Sequence, residues 1–217
     1  MQLSETQKEM LVRDGFVKLP GAVPGNLVDA AMRAINASLG SEGIDPARLV
    51  TFRAQSYCPE LQGAPPILDL LNASGLLESA ESAIGAGKLL PVHSGQIALR
   101  FPTLEPLRPA RPHLDGMYTP TNGVPEGTIR NFTALIGVYL SQASGPDMGN
   151  LWVWPGTHRL YEQYFRERGP QALLEGMPPV ELPEPRQLIA DPGDAVYVEG
   201  DKEGGCAIAP SDGHAGR

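Results

Sequence analysis

The sequence predicts a mainly β protein, a double-stranded β-helix (jelly roll) flanked by N-terminal helices. Three observations predict it. Apolar residues recur at three- and four-residue steps over the first 88 positions and alternate with period two after that. Gly and Pro number 25 and 22, together about a fifth of 217 residues, which favours many short strands joined by turns over a helical bundle. Helices first and antiparallel strands later fit a β-barrel with helical support better than alternating βα units.

The elements follow in order. Ser4 with Gln7 makes a capping-box pattern, and Gly15 stops the helix it starts. Phe16-Val17-Lys18-Leu19 reads as a short strand. Pro24 stands as a first helical residue. Leu27, Ala30, Ala31, Ala34, Ile35 and Leu39 then recur at helical spacing, and Gly40 ends the run. Further helical pieces cover Ile67 to Leu71 and Leu76 to Ile84. Ile97, Leu99 and Phe101 alternate with Gln96, Ala98 and Arg100, a strand pattern. Phe132, Ala134, Ile136, Val138 and Leu140 make one apolar face of a longer strand. Leu151 and Val153 alternate with Trp152 and Trp154, and Tyr161 to Arg168 is a surface helix stopped by Gly169-Pro170. Strands return at 187–189 and 195–198. No internal repeat divides the chain, so one domain spans 1–217: helical support at 1–88, β core at 89–200, irregular tail at 201–217.

Composition narrows the function. A formal charge of -8 attracts no phosphate backbone, so nucleic acid is not an expected partner. The two cysteines, Cys58 and Cys206, form no C-x-x-C, which argues against a structural zinc site and a disulfide framework. Met1-Gln2-Leu3-Ser4-Glu5 lacks the basic and apolar regions of a signal peptide, and no apolar run is long enough to span a bilayer. A cytoplasmic location and a small-molecule substrate are the expectation.

The chemistry concentrates between Pro112 and Asp194. His113-Leu114-Asp115 on an extended segment puts an imidazole and a carboxylate on one face. Such a pair can supply two ligands of a 2-His-1-carboxylate iron site. Its plainer reading is a polar pair at a strand end, satisfied by turn amides. Downstream come Gly149-Asn150-Leu151, Pro155-Gly156-Thr157-His158 and Pro192-Gly193-Asp194.

Together these blocks make the chain resemble the phytanoyl-CoA dioxygenase family of Fe(II)/2-oxoglutarate-dependent oxygenases. The resemblance implies a cupin-like barrel and hydroxylation of a small organic or lipid-like substrate. It also implies Fe(II) held by His113, Asp115 and a distal His, with 2-oxoglutarate as the cosubstrate oxidised to succinate and carbon dioxide. A catalytically inactive cupin-like binding protein is the rival reading, and a metal-dependent isomerase or hydrolase on the same barrel is a third.

Other residues are candidates for cosubstrate contacts. Gln96 and Arg100 share a strand face, and Arg suits a carboxylate through two parallel hydrogen bonds. Thr133 and Tyr139 share another, with Asn131 at its start; these tips either line the barrel or meet solvent. Met117 and Tyr118 are candidates for a substrate wall or for loop packing. His158 in its Pro-Gly turn and His93 read as structural, His158 through local backbone.

The tail departs from the family pattern. Counting from Gly193, the distal His is expected at or next to Gly204, and no His stands there. His214 comes later, with Arg217 three residues on, and Cys206 and Glu199 are weaker candidates. The tail therefore reads as a truncated or frame-shifted end, as the mark of a pseudo-enzyme, or as an unusual site completed by one of these residues.

Overall fold

The computed structural model describes residues 2–102, 112–130 and 132–199, except for the side chain of Glu199. α1 (Glu5–Asp14) begins with the capping box, Ser4 and Gln7 satisfying each other's amides, and ends at Gly15 in the left-handed region. β1 (Phe16–Leu19) follows. α2 (Gly25–Glu42) starts one residue after expected, with Pro24 outside it, and passes through Gly40. One glycine in a helix interior costs only about 1 kcal/mol, while Gly43 adopts the positive φ of 72° that closes the helix. α3 (Leu49–Ala54), α4 (Pro65–Asn72) and α5 (Leu76–Ile84) complete the helical layer.

The β part is two small antiparallel sheets. β2 (Ala134–Val138) and β1 flank the central β5 (Ala195–Glu199). β3 (Trp152–Val153) pairs with β4 (Arg186–Gln187). A jelly roll was expected from 89 to 200; among the described residues these sheets stand in its place. Gln96–Phe101 is not a strand. Ile97 is bonded to the segment after α3 instead: Tyr57 N donates to Ile97 O at 2.9 Å and Ile97 N to Ser56 Oγ at 2.9 Å, while the preceding Gly95 N donates to Gln62 O at 2.9 Å. α6 (Thr157–Arg168) starts four residues earlier than the sequence suggests, directly at the Pro-Gly turn. Among the described residues, no helix is long and apolar enough to cross a membrane.

Period two sorts the three-stranded sheet into two faces. Val17, Leu19, Ala134, Ile136, Val138, Ala195 and Tyr197 pack on the helical layer, against residues such as Leu11, Val28 and Ile35. Phe16, Leu135, Tyr139, Val196 and Val198 form the opposite face, in one cluster with Leu151 and Leu188 from beside β3 and β4. Phe132 joins this second cluster rather than the Ile136 face assigned from sequence, because it lies ahead of the regular strand.

Pro192-Gly193-Asp194 ties three segments together. Gly193 N donates to Tyr139 O (2.8 Å), Tyr139 N to Asp194 O (2.9 Å) and Val23 N to Gly193 O (2.9 Å). The buried Asp194 carboxylate accepts from Gly21 N (2.8 Å), Lys18 Nζ (3.0 Å) and Asp191 N (3.2 Å). Burial pushes this carboxyl up, but the Gly21 amide, the Lys18 ammonium and the Asp191 amide outweigh burial and hold it below its usual value. The depressed pKa sets the sign. Its stabilisation is complete above the unfolded carboxyl value, near pH 4, and is lost as pH falls through the lower folded value. Asp194→Asn is therefore expected to cost about 2 kcal/mol at pH 7 through lost charge-assisted bonds. It should also flatten the acid limb of a plot of urea-unfolding stability against pH. An unchanged acid limb would remove Asp194 from that role.

Candidate functional site

The structure brings His113 and Asp115 together. His113 Nε2 lies 3.3 Å from Asp115 Oδ1, with both side chains partly exposed, 34% and 26%. The segment is a loop running into a turn at Asp115–Gly116, not a strand. Its rigidity comes from Leu114, which is 2% exposed. Leu114 enters an apolar cluster with Trp154, Tyr161, Phe165, Ala172 and Leu173, joined by Met117 and Ile129. Leu114 is buried between the two polar residues, whose side chains meet on one side of it.

The pair suits two neighbouring positions around a metal. Ligands at right angles, each about 2.1 Å from a divalent ion, stand about 3 Å apart. The buried His113 Nδ1 has no hydrogen-bond partner among the described residues. Among those residues no group of three His, Cys, Asp or Glu side chains could hold a metal, so the pair stands without a third such side chain beside it. The side chain of Glu199, Cys206, His214 and Arg217 lie outside the described residues, as does Asn131.

The loop from Gly116 to Arg130 follows the pair and is closed at its neck, where Arg130 N donates to Gly116 O at 3.1 Å. Asn122 organises its interior. Oδ1 accepts from Thr119 N (3.1 Å) and Val124 N (3.1 Å), and Nδ2 donates to Met117 O (2.6 Å). Gln55 Nε2 donates to Thr121 O (2.8 Å), fastening the loop to the end of α3. This is a self-packed Ω-loop. Met117 packs inward, and Tyr118 is exposed. Asn122-Gly123 is the sequence signal for its turn.

The remaining candidates are dispersed. Gln96 and Thr133 are exposed. Arg100 donates from Nη1 to Leu99 O (3.2 Å), and its Cβ packs under Gly149. The Tyr139 hydroxyl accepts from Leu151 N (3.3 Å), linking β2 to β3. Burial raises its pKa, the Leu151 amide lowers it and Asp194 raises it, so it remains a phenol with its own proton to donate. His93 is exposed, and its backbone carbonyl faces Gly63.

Two motif blocks have structural tasks. Asn150 is buried; its Oδ1 accepts from Met148 N (2.8 Å), and its Nδ2 donates to Leu188 O (3.0 Å). Gln187 and Asp147 bond reciprocally across the same loop. His158 reaches distant backbone rather than local backbone. Its Nε2 lies 3.1 Å from Val12 O, which also accepts from Arg159 Nη2 at 2.8 Å, while Gly156 N donates to Asp14 O at 2.8 Å. The Pro-Gly-Thr-His turn thus caps the carbonyl end of α1, where donors and positive charge are favoured. Beside it, Arg13 bonds Asp14 and holds its carboxyl below the usual range. The cleft at this clamp includes Gly15, Trp154 and His158 in its wall but neither His113 nor Asp115. At about 20 Å³ it has room for a single water.

No family model matches the chain, and no curated protein matches it. Solved structures do. HygX from Streptomyces hygroscopicus with nickel and 2-oxoglutarate bound is 15% identical with a TM-score of 0.51, covering 100% of this chain and 82% of that one. HygX with nickel, 2-oxoglutarate and hygromycin B bound is 16% identical, with a TM-score of 0.45 and coverage of 99% and 83%. SnoN, the non-heme alpha ketoglutarate dependent epimerase from nogalamycin biosynthesis, is 18% identical, with a TM-score of 0.41 and coverage of 91% and 72%. At these identities the likeness to the first HygX structure is one of fold.

Proposed function

We propose that this chain is a small-molecule oxidoreductase using Fe(II) and 2-oxoglutarate, on the jelly roll expected for the phytanoyl-CoA dioxygenase family, with His113 and Asp115 as metal ligands. One observation carries the reading: His113 Nε2 and Asp115 Oδ1 approach to 3.3 Å, on a chain similar in fold to a protein crystallised with nickel and 2-oxoglutarate. The reaction proposed is hydroxylation of a small organic or lipid-like molecule in the cytoplasm.

When bound, Fe(II) and 2-oxoglutarate supply the oxidising chemistry. The chain's own residues hold and orient. His113 offers the Nε2 lone pair, which requires the Nδ1–H tautomer. Asp115 offers an anionic oxygen, and Leu114 fixes the angle between the two. Gln96, Arg100, Thr133 and Tyr139 are the proposed polar contacts of the cosubstrate, Tyr139 through its hydroxyl proton. The second reading, a binding protein without turnover, is favoured by the two-ligand count among the described residues.

The test is a calorimetric titration with Mn(II), a redox-quiet substitute for Fe(II), with and without 2-oxoglutarate. Saturable uptake strengthened by 2-oxoglutarate is expected, and no uptake of Mn(II) or Fe(II) would overturn the metal reading. Succinate release with Fe(II), ascorbate and a substrate panel then separates the enzyme from the binding protein.

A further inference from the structure

The turn that carries Asp115 is held by its carbonyls. Gly116 follows the carboxylate at φ 91° and has no side chain to anchor it. Two bonds among the described residues grip the backbone just beyond Asp115. Arg130 N donates to Gly116 O at 3.1 Å, and Asn122 Nδ2 donates to Met117 O at 2.6 Å. The second comes from a side chain whose other end is already engaged: Asn122 Oδ1 accepts from Thr119 N and Val124 N, both at 3.1 Å. This amide has two tasks. Its oxygen folds the loop on itself, and its nitrogen ties the folded loop back to the residue after Gly116. Gln55, bonded to Thr121 O at 2.8 Å, fastens the same loop to α3 without touching Gly116 or Met117.

The consequence falls on the metal pair. His113 Nε2 and Asp115 Oδ1 stand 3.3 Å apart, and both side chains are partly exposed. Such side chains hold a fixed separation only if the backbone beneath them is fixed. A metal that must first order its ligands binds more weakly by the entropy of ordering them. Leu114, in its apolar cluster, anchors the chain before Asp115. The bonds to Gly116 O and Met117 O anchor it after. We propose that Asn122 is a positioning residue of the His113–Asp115 site, acting on Asp115 through the Met117 carbonyl. The inference rests on the metal reading above and adds to it the group that keeps the pair preorganised.

Asn122→Asp separates the two tasks. The carboxylate still accepts from Thr119 N and Val124 N, but at neutral pH it has no proton to offer Met117 O. The variant is expected to weaken Mn(II) binding roughly 10-fold, the lower end of what loss of a group supporting a metal ligand costs. It should also change the electron paramagnetic resonance spectrum of the bound ion. The melting temperature of the metal-free chain should stay close to that of the unaltered chain, because both accepting bonds remain. Without metal, the Arg130 amide should exchange its hydrogen faster, since the neck it closes has lost its companion bond. Gln55→Ala cuts the tie to α3 and leaves the Met117 bond, so its effect on affinity and spectrum should be smaller. Unchanged Mn(II) affinity and spectrum in Asn122→Asp would overturn the proposal. So would an equal effect of Gln55→Ala, or an affinity loss that comes with a large fall in the melting temperature of the metal-free chain. If the unaltered chain takes up no Mn(II), the metal reading fails by itself. Faster exchange at Arg130 in Asn122→Asp would then still support the hold of Asn122 on the backbone of the pair, and unchanged exchange would overturn it.

Discussion

Gly193→Ala is expected to destabilise the chain by about 3 kcal/mol or more, read as a fall in the urea midpoint with an unchanged slope. Two effects add. The residue sits at φ 91°, where a side chain is strained, and a Cβ there would lie 2.6 Å from Val23 O. That neighbour is backbone, so no rotamer change relieves the contact. The Val23 carbonyl cannot retreat freely either, because Val23 N is bonded to Gly193 O. The substitution therefore strains the junction of β2, β5 and the β1–α2 connection at one point. A loss below about 0.5 kcal/mol, the scale of ordinary surface changes, would mean that this turn is far more compliant than its bonds imply.

His113→Ala should lower Mn(II) affinity by more than about 100-fold, since loss of a mere supporting partner of a metal ligand already costs 10- to 100-fold. The fold should survive it. His113 is one-third exposed and its only close polar partner among the described residues is Asp115, so stability without metal should change by less than about 1 kcal/mol. His158→Ala makes the contrasting control. It removes a donor to the end of α1 and should cost about 1 kcal/mol of stability while leaving Mn(II) affinity unaltered. Metal binding that depends on His158 and not on His113 would reverse the assignment of the two histidines.

The sequence made the local signals readable and left the long-range ones hidden. Ser4, Gln7 and Gly15 bounded α1 because capping is decided within a few residues. The alternation at Ala134–Val138 found β2 because one of its faces is dedicated to the helical core. Gln96–Phe101 alternates as well, yet Ile97 bonds Ser56 and Tyr57. Period two reports which face is covered, not which backbone answers. The spacing of His113 and Asp115 was legible, but the reason offered for it was wrong. The two meet in a loop, with Leu114 buried between them, not on a strand. The reach of His158 to Val12 was invisible because it spans a sequence separation of 146.

Leu114 has a consequence for how this chain would respond to stress. The side chain that orients the two polar groups is also a member of the α6 cluster. Loosening that cluster, for instance by trimming Phe165, should blunt the grip on a metal from the far side of the layer. Linkage is reciprocal: a metal that binds only the ordered loop must in turn raise the melting temperature of α6. Metal supply would then act as a tuner of rigidity as well as of chemistry, with one leucine as the mechanical coupling between them.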